Sequence, residues 1–450
     1  MSKVKQWVHR LFHNSFFVSV FKVGSGQLIA QILALVSVPI LSRIYSDTAY
    51  GDTALITSTA AILINLSTFG LQSAVMKPED DEECRTVFTT AFLTNTLICT
   101  LFTAGCAVLL GRFRVFDVSE NYPLALVTMW MYCVLYSTNQ LLTVYSNRKK
   151  RYNRLFFNPI IGAAVNFAVA IPLGLLGFGF MGFMLTNISQ YLLTSVHMMW
   201  GDLPYKKGYT LRDFKRVFVD YKDYVLFQYP SNFIGNFGIE YPTQYLGRVF
   251  TTQQLGGYSM CVRVMKYPIR LIAAPISTVY FRTATEYHRE GKNLAGFTYK
   301  MISRILLAAA VPVAVFIFAA EPLFAFVLGG SWRAAGTLAG FLIIQYVLLF
   351  CSQTTSYCRV AIGRQRTNLV VTIVRLAVAA VSCSAGYALF HTMQATVFCY
   401  SLGQCLYNIY DMAVNFRCMD RRYMWKYLAV AVLFTAAMFV VLIARHLLFG

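Results

Sequence analysis

Acidic residues are scarce in this chain. Only 19 Asp and Glu stand against 39 Lys and Arg among 450 residues, and charged residues make up 13% of the total. Soluble globular domains carry about a quarter, so a water-soluble fold is excluded. Catalytic signatures are missing as well: there is no HExxH, no DxD-like pair and no Gly-rich phosphate loop, hence no engine for ATP and no cofactor site. The 11 cysteines include no CxxC pair and no neighbouring histidine ligands, which leaves disulfides and metal sites without support. Cys99, Cys106, Cys133, Cys261, Cys351, Cys383, Cys399 and Cys405 fall inside apolar runs and read as small buried residues. No long outer loop is available to hold an active site, so the chain does not read as an enzyme.

What is present is apolar. Hydrophobic residues make up 57% and mean hydropathy is +0.55, the composition of a polytopic membrane protein. The formal charge of +20 superficially suggests a nucleic-acid partner. The cations lie in short loops between apolar runs, however, which is what membrane orientation requires. Lys3, Lys5 and Arg10 before the first run resemble a signal peptide, but that run is too long, contains Pro39 and lacks a small-residue cleavage site. It reads as a retained first helix.

Runs long enough to span, near about twenty residues each, fall at 16–42, 52–75, 86–110, 123–146, 156–176 and 179–200, then at 222–246, 254–281, 301–320, 337–358, 368–390, 393–416 and 425–445. With the N-terminus inside, the inner segments hold most of the cations: Arg148 to Arg154, Lys206 to Lys222, Arg282 to Arg304, Arg359 to Arg366 and Arg417 to Lys426. The outer loops hold only Arg43, Arg112, Arg114, Arg248 and Arg333. That bias fixes the alternation. The expected division is a six-helix lobe over 1–200, a cytoplasmic linker of mixed charge over 201–223, a second six-helix lobe over 224–416 and a thirteenth span within 417–450. The run 425–443 has no polar face to present to head groups and so crosses rather than lies flat.

Polar residues concentrate in the first helix of each half: Lys22, Gln27 and Gln31 among glycines and Pro39 in one, Gln228, Asn232, Asn236 and Glu240 with Pro230 and Pro242 in the other. Interrupted helices at corresponding positions point to a transporter; kinked helices that merely pack well are the alternative. Gln228, Asn232, Asn236, Glu240 and Gln244 recur at every fourth position, a stripe along one helix side. Arg263, Lys266 and Arg270 at i, i+3 and i+7 share a narrow arc. In a bilayer each such charge costs about 2.5 to 3.5 kcal/mol near the centre, so this wall faces water, a counter-ion or an anionic ligand. We read it as lining a hydrated cavity. Ser401, Gln404, Asn408, Asp411 and Asn415 form another helical face, and Asn368, Arg375 and Ser382 recur every seven residues. These groups either line a pathway or hold helices together. Burial is too costly for Arg375 and Asp411 to be incidental, and Glu240 and Asp411 either balance the cations or bind a coupling proton or sodium ion.

Four segments resemble a known family: PILSRIYSDTAYGDTAL (39–55), SAVMKPEDDEEC (73–84), LGGYSMCVRVMKYPIRLIAAPISTVYFRTATE (255–286) and VLGGSWRAAG (327–336). They are similar to the polysaccharide transporter family, the Wzx-type flippases of lipid-linked oligosaccharides. Its superfamily also holds multidrug and toxin extruders and the lipid II flippases. The resemblance covers about 15–415. It implies two pseudo-symmetric six-helix lobes around a central cationic cavity, all-α, opening alternately to the two sides. It also singles out Arg43, Tyr45 and Gly51 in the first outer loop, Pro78 and the acids after it in the first inner loop, and Arg263 and Pro268. Gly329, Gly330 and Ser331 depart from the family, where many relatives are acidic, and the thirteenth span lies beyond its core.

The expected function is therefore translocation of polyprenyl-diphosphate-linked repeat units across the bacterial cytoplasmic (inner) membrane for O-antigen or other surface polysaccharide, alongside a polymerase and glycosyltransferases. The lipid tail stays in the bilayer while arginine forks take diphosphate oxygens, and Gln, Asn and Tyr229, Tyr241 and Tyr245 suit sugars. A multidrug extruder, or a membrane enzyme polymerising or ligating glycans, is the competing reading.

Overall fold

The computed structural model describes residues 15–108, 122–362, 364 and 367–449. Lys3, Lys5, Arg10, Arg112, Arg114 and Arg366 lie outside the described residues, as do the side chains of Gln228 and Arg270.

Among the described residues the chain is all helix and loop, a polytopic membrane protein with long helices where the apolar runs predict them. They are α1 (Ser15–Ile44), α2 (Asp47–Ser67), α3 (Asp81–Val108), α4 (Tyr122–Arg148), α5 (Tyr152–Leu175) and α6 (Gly179–Met199); the linker helix α7 (Leu211–Asp220); then α8 (Tyr229–Val249), α9 (Thr252–Pro268), α10 (Ala274–Arg289), α11 (Leu294–Leu328), α12 (Arg333–Thr354), α13 (Thr367–Phe390), α14 (Met393–Met419) and α15 (Arg421–Phe449). A wide π turn, Ile269–Ala273, joins α9 to α10 as one interrupted helix. Among the described residues seven segments, containing α1, α3, α5, α11, α12, α13 and α15, are long and apolar enough to cross a bilayer by themselves.

The chain forms two units, each with its own packing. One comprises the chain up to Tyr45 and then Ile56–Asn236; the other comprises Ser46–Leu55 and Phe237–Gly450. The division differs from the expected one at two places. The first outer loop and the start of α2 belong with the second unit because a Cβ on Gly51 would stand 1.9 Å from the Thr252 carbonyl oxygen, and one on Gly256 1.9 Å from that of Asp47. Only glycine permits so close a backbone approach. The stretch 224–236, expected in the second lobe, belongs with the first.

In the first unit α1 packs on α5, α5 on α6, and α6 on α4. Tyr45, buried, donates to the Ala170 carbonyl at 2.7 Å and stacks on Phe183 with centroids 4.0 Å apart. Its inner end is stapled by charge. Arg148 donates to the Pro78 carbonyl at 3.1 and 2.9 Å and pairs with Asp81 at 2.7 Å. Asp202 accepts from Arg85 at 2.9 Å, from the Tyr145 hydroxyl at 3.0 Å and from Arg151. The linker is no free tether: Val217 and Tyr221 join a buried cluster with Cys84, Phe88 and Tyr145.

In the second unit α11, α12, α14 and α15 surround a core that includes Ile317, Leu348, Met412, Phe416, Tyr427 and Phe434. Asn293, just before α11, donates to the Tyr423 hydroxyl at 3.0 Å, and Glu321 near the far end of α11 pairs with Arg445 of α15. Helices α11 and α15 therefore run parallel. Lipid tails are as apolar as leucine, so packing and these terminal polar contacts, rather than hydrophobic drive, set the register of α15.

Against burial, which works the other way, the Tyr145 hydroxyl and the Arg151 and Arg85 guanidiniums hold the Asp202 carboxyl below its usual range. A depressed folded value contributes stability above the unfolded value, near about 3.9, and loses it as pH falls through the lower folded value. Asp202→Asn is expected to cost about 2 kcal/mol near neutrality. Melting curves of parent and variant should then converge as pH drops below about 4; parallel curves down to that range would contradict this assignment.

Candidate anion-binding site

Helix α9 starts from a capping box, in which Thr251 Oγ accepts from the Gln254 amide and Gln254 Oε1 accepts from the Thr251 amide, each at 3.3 Å. That start fixes the register of the cations on its later turns. Arg263 is exposed, and its guanidinium lies 5.5 Å from the centre of the Tyr50 ring. Tyr50 is buried and meets Trp332 edge-on at 5.1 Å. The cation therefore sits over the negative face of a ring that cannot turn away. Lys266, one turn on, is half-buried and acts electrostatically on the half-buried carboxylate of Glu240 in α8. The backbone of Arg270 falls in the π turn.

A second set gathers near the start of α13 and the end of α14. Asp411, 4% exposed, accepts from Arg359 at 2.7 Å and from the Ser352 hydroxyl. Arg359, 7% exposed, donates also to Asn368 at 2.6 Å. Arg375 of α13 is half-buried, with its guanidinium 5.8 Å from the centre of the buried Tyr407 ring. Three carboxylates of this unit thus have cations near them: Asp411 and Glu321 are ion-paired with Arg359 and Arg445, and Glu240 feels the charge of Lys266. Among the described residues Arg263 and Arg375 have aromatic faces and no carboxylate partner. An uncompensated guanidinium is planar, always charged and geared to bidentate oxyanions.

The other expected site residues belong to both units. In the first unit Lys22 donates to Asn153, Gln27 is exposed, and Gln31 is half-buried with Oε1 inaccessible and unpartnered. Asn236 donates to Asn65 at 2.7 Å and to the carbonyl of exposed Asn232 at 2.9 Å. Ser401, Gln404, Asn408 and Asn415 are all buried; Ser401 donates to the Phe341 carbonyl at 2.6 Å, while Gln404 Nε2, Asn408 Oδ1 and Asn415 Oδ1 find no partner among the described residues. Arg43 is exposed, whereas Tyr45, Gly51 and Pro78 hold backbone in place. Tyr50, Tyr407 and Arg359 did not stand out from sequence. Tyr50 lies inside 39–55, and Tyr407 is one turn from Asp411, but Arg359 reads as an ordinary inner-loop cation.

Residues 40–336 match the family model described as "Polysaccharide biosynthesis protein". Among solved structures the chain is similar to the lipid II flippase MurJ in an inward closed conformation, with TM-score 0.64 at 10% identity, over 96% of this chain and 99% of that one. It is also similar to an inward-facing multidrug resistance MATE family transporter of the MOP superfamily, with TM-score 0.58 at 18% identity, over 86% and 97%. A MOP superfamily transporter from Pyrococcus furiosus gives TM-score 0.50 at 15% identity, over 88% and 94%. At these identities the likeness establishes the fold. No curated protein sequence matches the chain.

Because Asp411 and Arg359 are both buried, removing one leaves the other uncompensated. Arg359→Gln is expected to cost about 3 to 5 kcal/mol, and Arg359→Gln with Asp411→Asn to cost less than Arg359→Gln alone. Melting of the purified single and double variants checks this, and additive losses would show that the two groups are not coupled.

Proposed function

The chain belongs to the polysaccharide biosynthesis protein family, and from that premise we propose that it is a flippase of polyprenyl-diphosphate-linked oligosaccharide repeat units. It acts in the bacterial cytoplasmic membrane, by alternating access and without covalent change. The observation that carries this reading is the pair of guanidiniums, Arg263 and Arg375, that lie over aromatic rings and have no carboxylate partner among the described residues. A diphosphate has the oxygen geometry that arginine forks take bidentately; a cationic drug would be repelled. Aromatic rings for sugar faces lie in the same unit: Tyr241 stacks on Tyr245 at 5.9 Å, and Tyr245 meets Tyr387 edge-on at 6.5 Å. Lys266 and Arg270 extend the cationic face, Lys22, Gln27, Gln31, Gln228, Asn232 and Asn236 offer hydrogen bonds to the glycan, and Glu240 and Asp411 balance charge. Glycosyltransferases that build the repeat unit and a polymerase that consumes it are the functional neighbours of such a transporter, with O antigen or another surface polysaccharide as the product.

Arg263→Ala or Arg375→Ala, at matched protein level, is expected to lower surface glycan about tenfold to a hundredfold, the loss of one or two charge-assisted hydrogen bonds. Arg→Lys at either position retains charge but loses the fork and falls between. Full export in both alanine variants and in the double variant would remove these residues from the substrate path. Glu240→Gln is expected to leave the ion dependence of export unchanged; if parental flux follows an ion gradient and the variant's does not, Glu240 couples rather than balances.

A further inference from the structure

The linker between the two sets of spans carries a feature that translocation does not use. Helix α7 packs Val217 into the first unit, with Tyr221 just beyond its end, against the inner ends of α3 and α4. Its start is fixed by a capping box of Thr210 and Asp213, whose carboxyl is held down at about 2 by hydrogen bonds from Lys206 and from the amide and hydroxyl of Thr210. Arg216 is engaged with Glu83 at 2.8 Å. The opposite face has a different chemistry. Leu211, Lys215 and Val219 stand at i, i+4 and i+8, within one arc at about 100° per residue, Arg212 flanks it, and Lys222 follows just beyond the helix end. All five are exposed, Leu211 by 72% and Val219 by 67%. Asp220 lies about 80° around the helix from Arg212, off this face, and Asp223, like Lys222, lies beyond the helix end. Among the described residues Lys207, Arg212, Lys215 and Lys222 have no carboxylate partner. The approach from α6 is also apolar and exposed: Trp200 by 75% and Leu203 by 62%.

A helix face turned only to water has no reason to alternate leucine and valine with unpaired cations. A bilayer surface does: the apolar side chains enter the acyl boundary, lysine and arginine stems lie alongside them, and the charged heads meet anionic head groups. The place fits, because Trp200 directly follows α6, a helix that ends at that surface, and tryptophan favours the interface. We propose that α7 is an interfacial anchor whose Leu211, Arg212, Lys215 and Val219 face, with Lys222 just past its end, binds anionic phospholipid of the inner leaflet. This holds the first unit's inner end at the head-group level.

The test uses the full-length protein in vesicles with an environment-sensitive fluorophore on Val219→Cys, the unsubstituted protein labelled in parallel to subtract native thiols. Two compositions are compared, phosphatidylcholine alone and phosphatidylcholine containing about a third phosphatidylglycerol. The expected result is a blue shift and weaker quenching by aqueous iodide in the anionic vesicles. In the Arg212→Gln, Lys215→Gln, Lys222→Gln background the preference for anionic lipid should fall at least about tenfold, with melting in detergent unchanged. A probe equally exposed in both compositions overturns the proposal, as does one equally shielded in both and indifferent to the triple substitution. Shielding that arises only on adding soluble cell extract assigns the face to a protein partner and overturns it too.

Discussion

A charge inside an apolar helix must be matched, and much of the second unit follows from that constraint. The unpaired cost is several kcal/mol, so Glu240 lies near Lys266, Asp411 meets Arg359 and Glu321 meets Arg445. The matches also do structural work. Glu321 and Arg445 tie α15 to α11, and Arg359 draws the loop after α12 onto α13 and α14. Against that background a guanidinium with only a ring beneath it is conspicuous. Arginine tolerates the position because it is weakly hydrated and stacks on aromatic faces, which leaves its donors free for an oxyanion.

The segments that carry the family resemblance divide into frame and chemistry. Tyr45, Gly51, Pro78, Trp332 and Gly336 are positions of close approach: a hydroxyl on a carbonyl, a glycine against backbone, a carbonyl held by Arg148, a buried indole, a glycine against the Glu321 backbone. Such contacts tolerate no added atoms. Arg263 over Tyr50 is where the frame meets a charge that the frame itself does not need.

The cations in the loops that the sequence assigns to the inner side serve twice. Orientation requires only that they be on the inner side, yet Arg148, Arg151, Arg154 and Arg216 also close hydrogen bonds across loops distant in sequence. Because those pairs are made within the first unit itself, the cations left over on α7 can be told apart from those already engaged.

Sequence alone determined the helices and the class of protein, because lipid imposes length and apolarity on each span separately. It also picked out Arg263, Lys266, Arg375, Glu240 and Asp411, since a charge in an apolar run is anomalous wherever it points. Which of these are compensated was decided only by tertiary structure. Asp411 is paired with Arg359, 52 residues away, and Arg263 with the Tyr50 ring in another helix; neither partner lies within reach of a helical period. The placing of 46–55 with α9, against the chain order, likewise depends on two glycines whose meaning appears only when backbones from separate helices come together. Periodicity reports which side of a helix is buried, and contact alone reports against what.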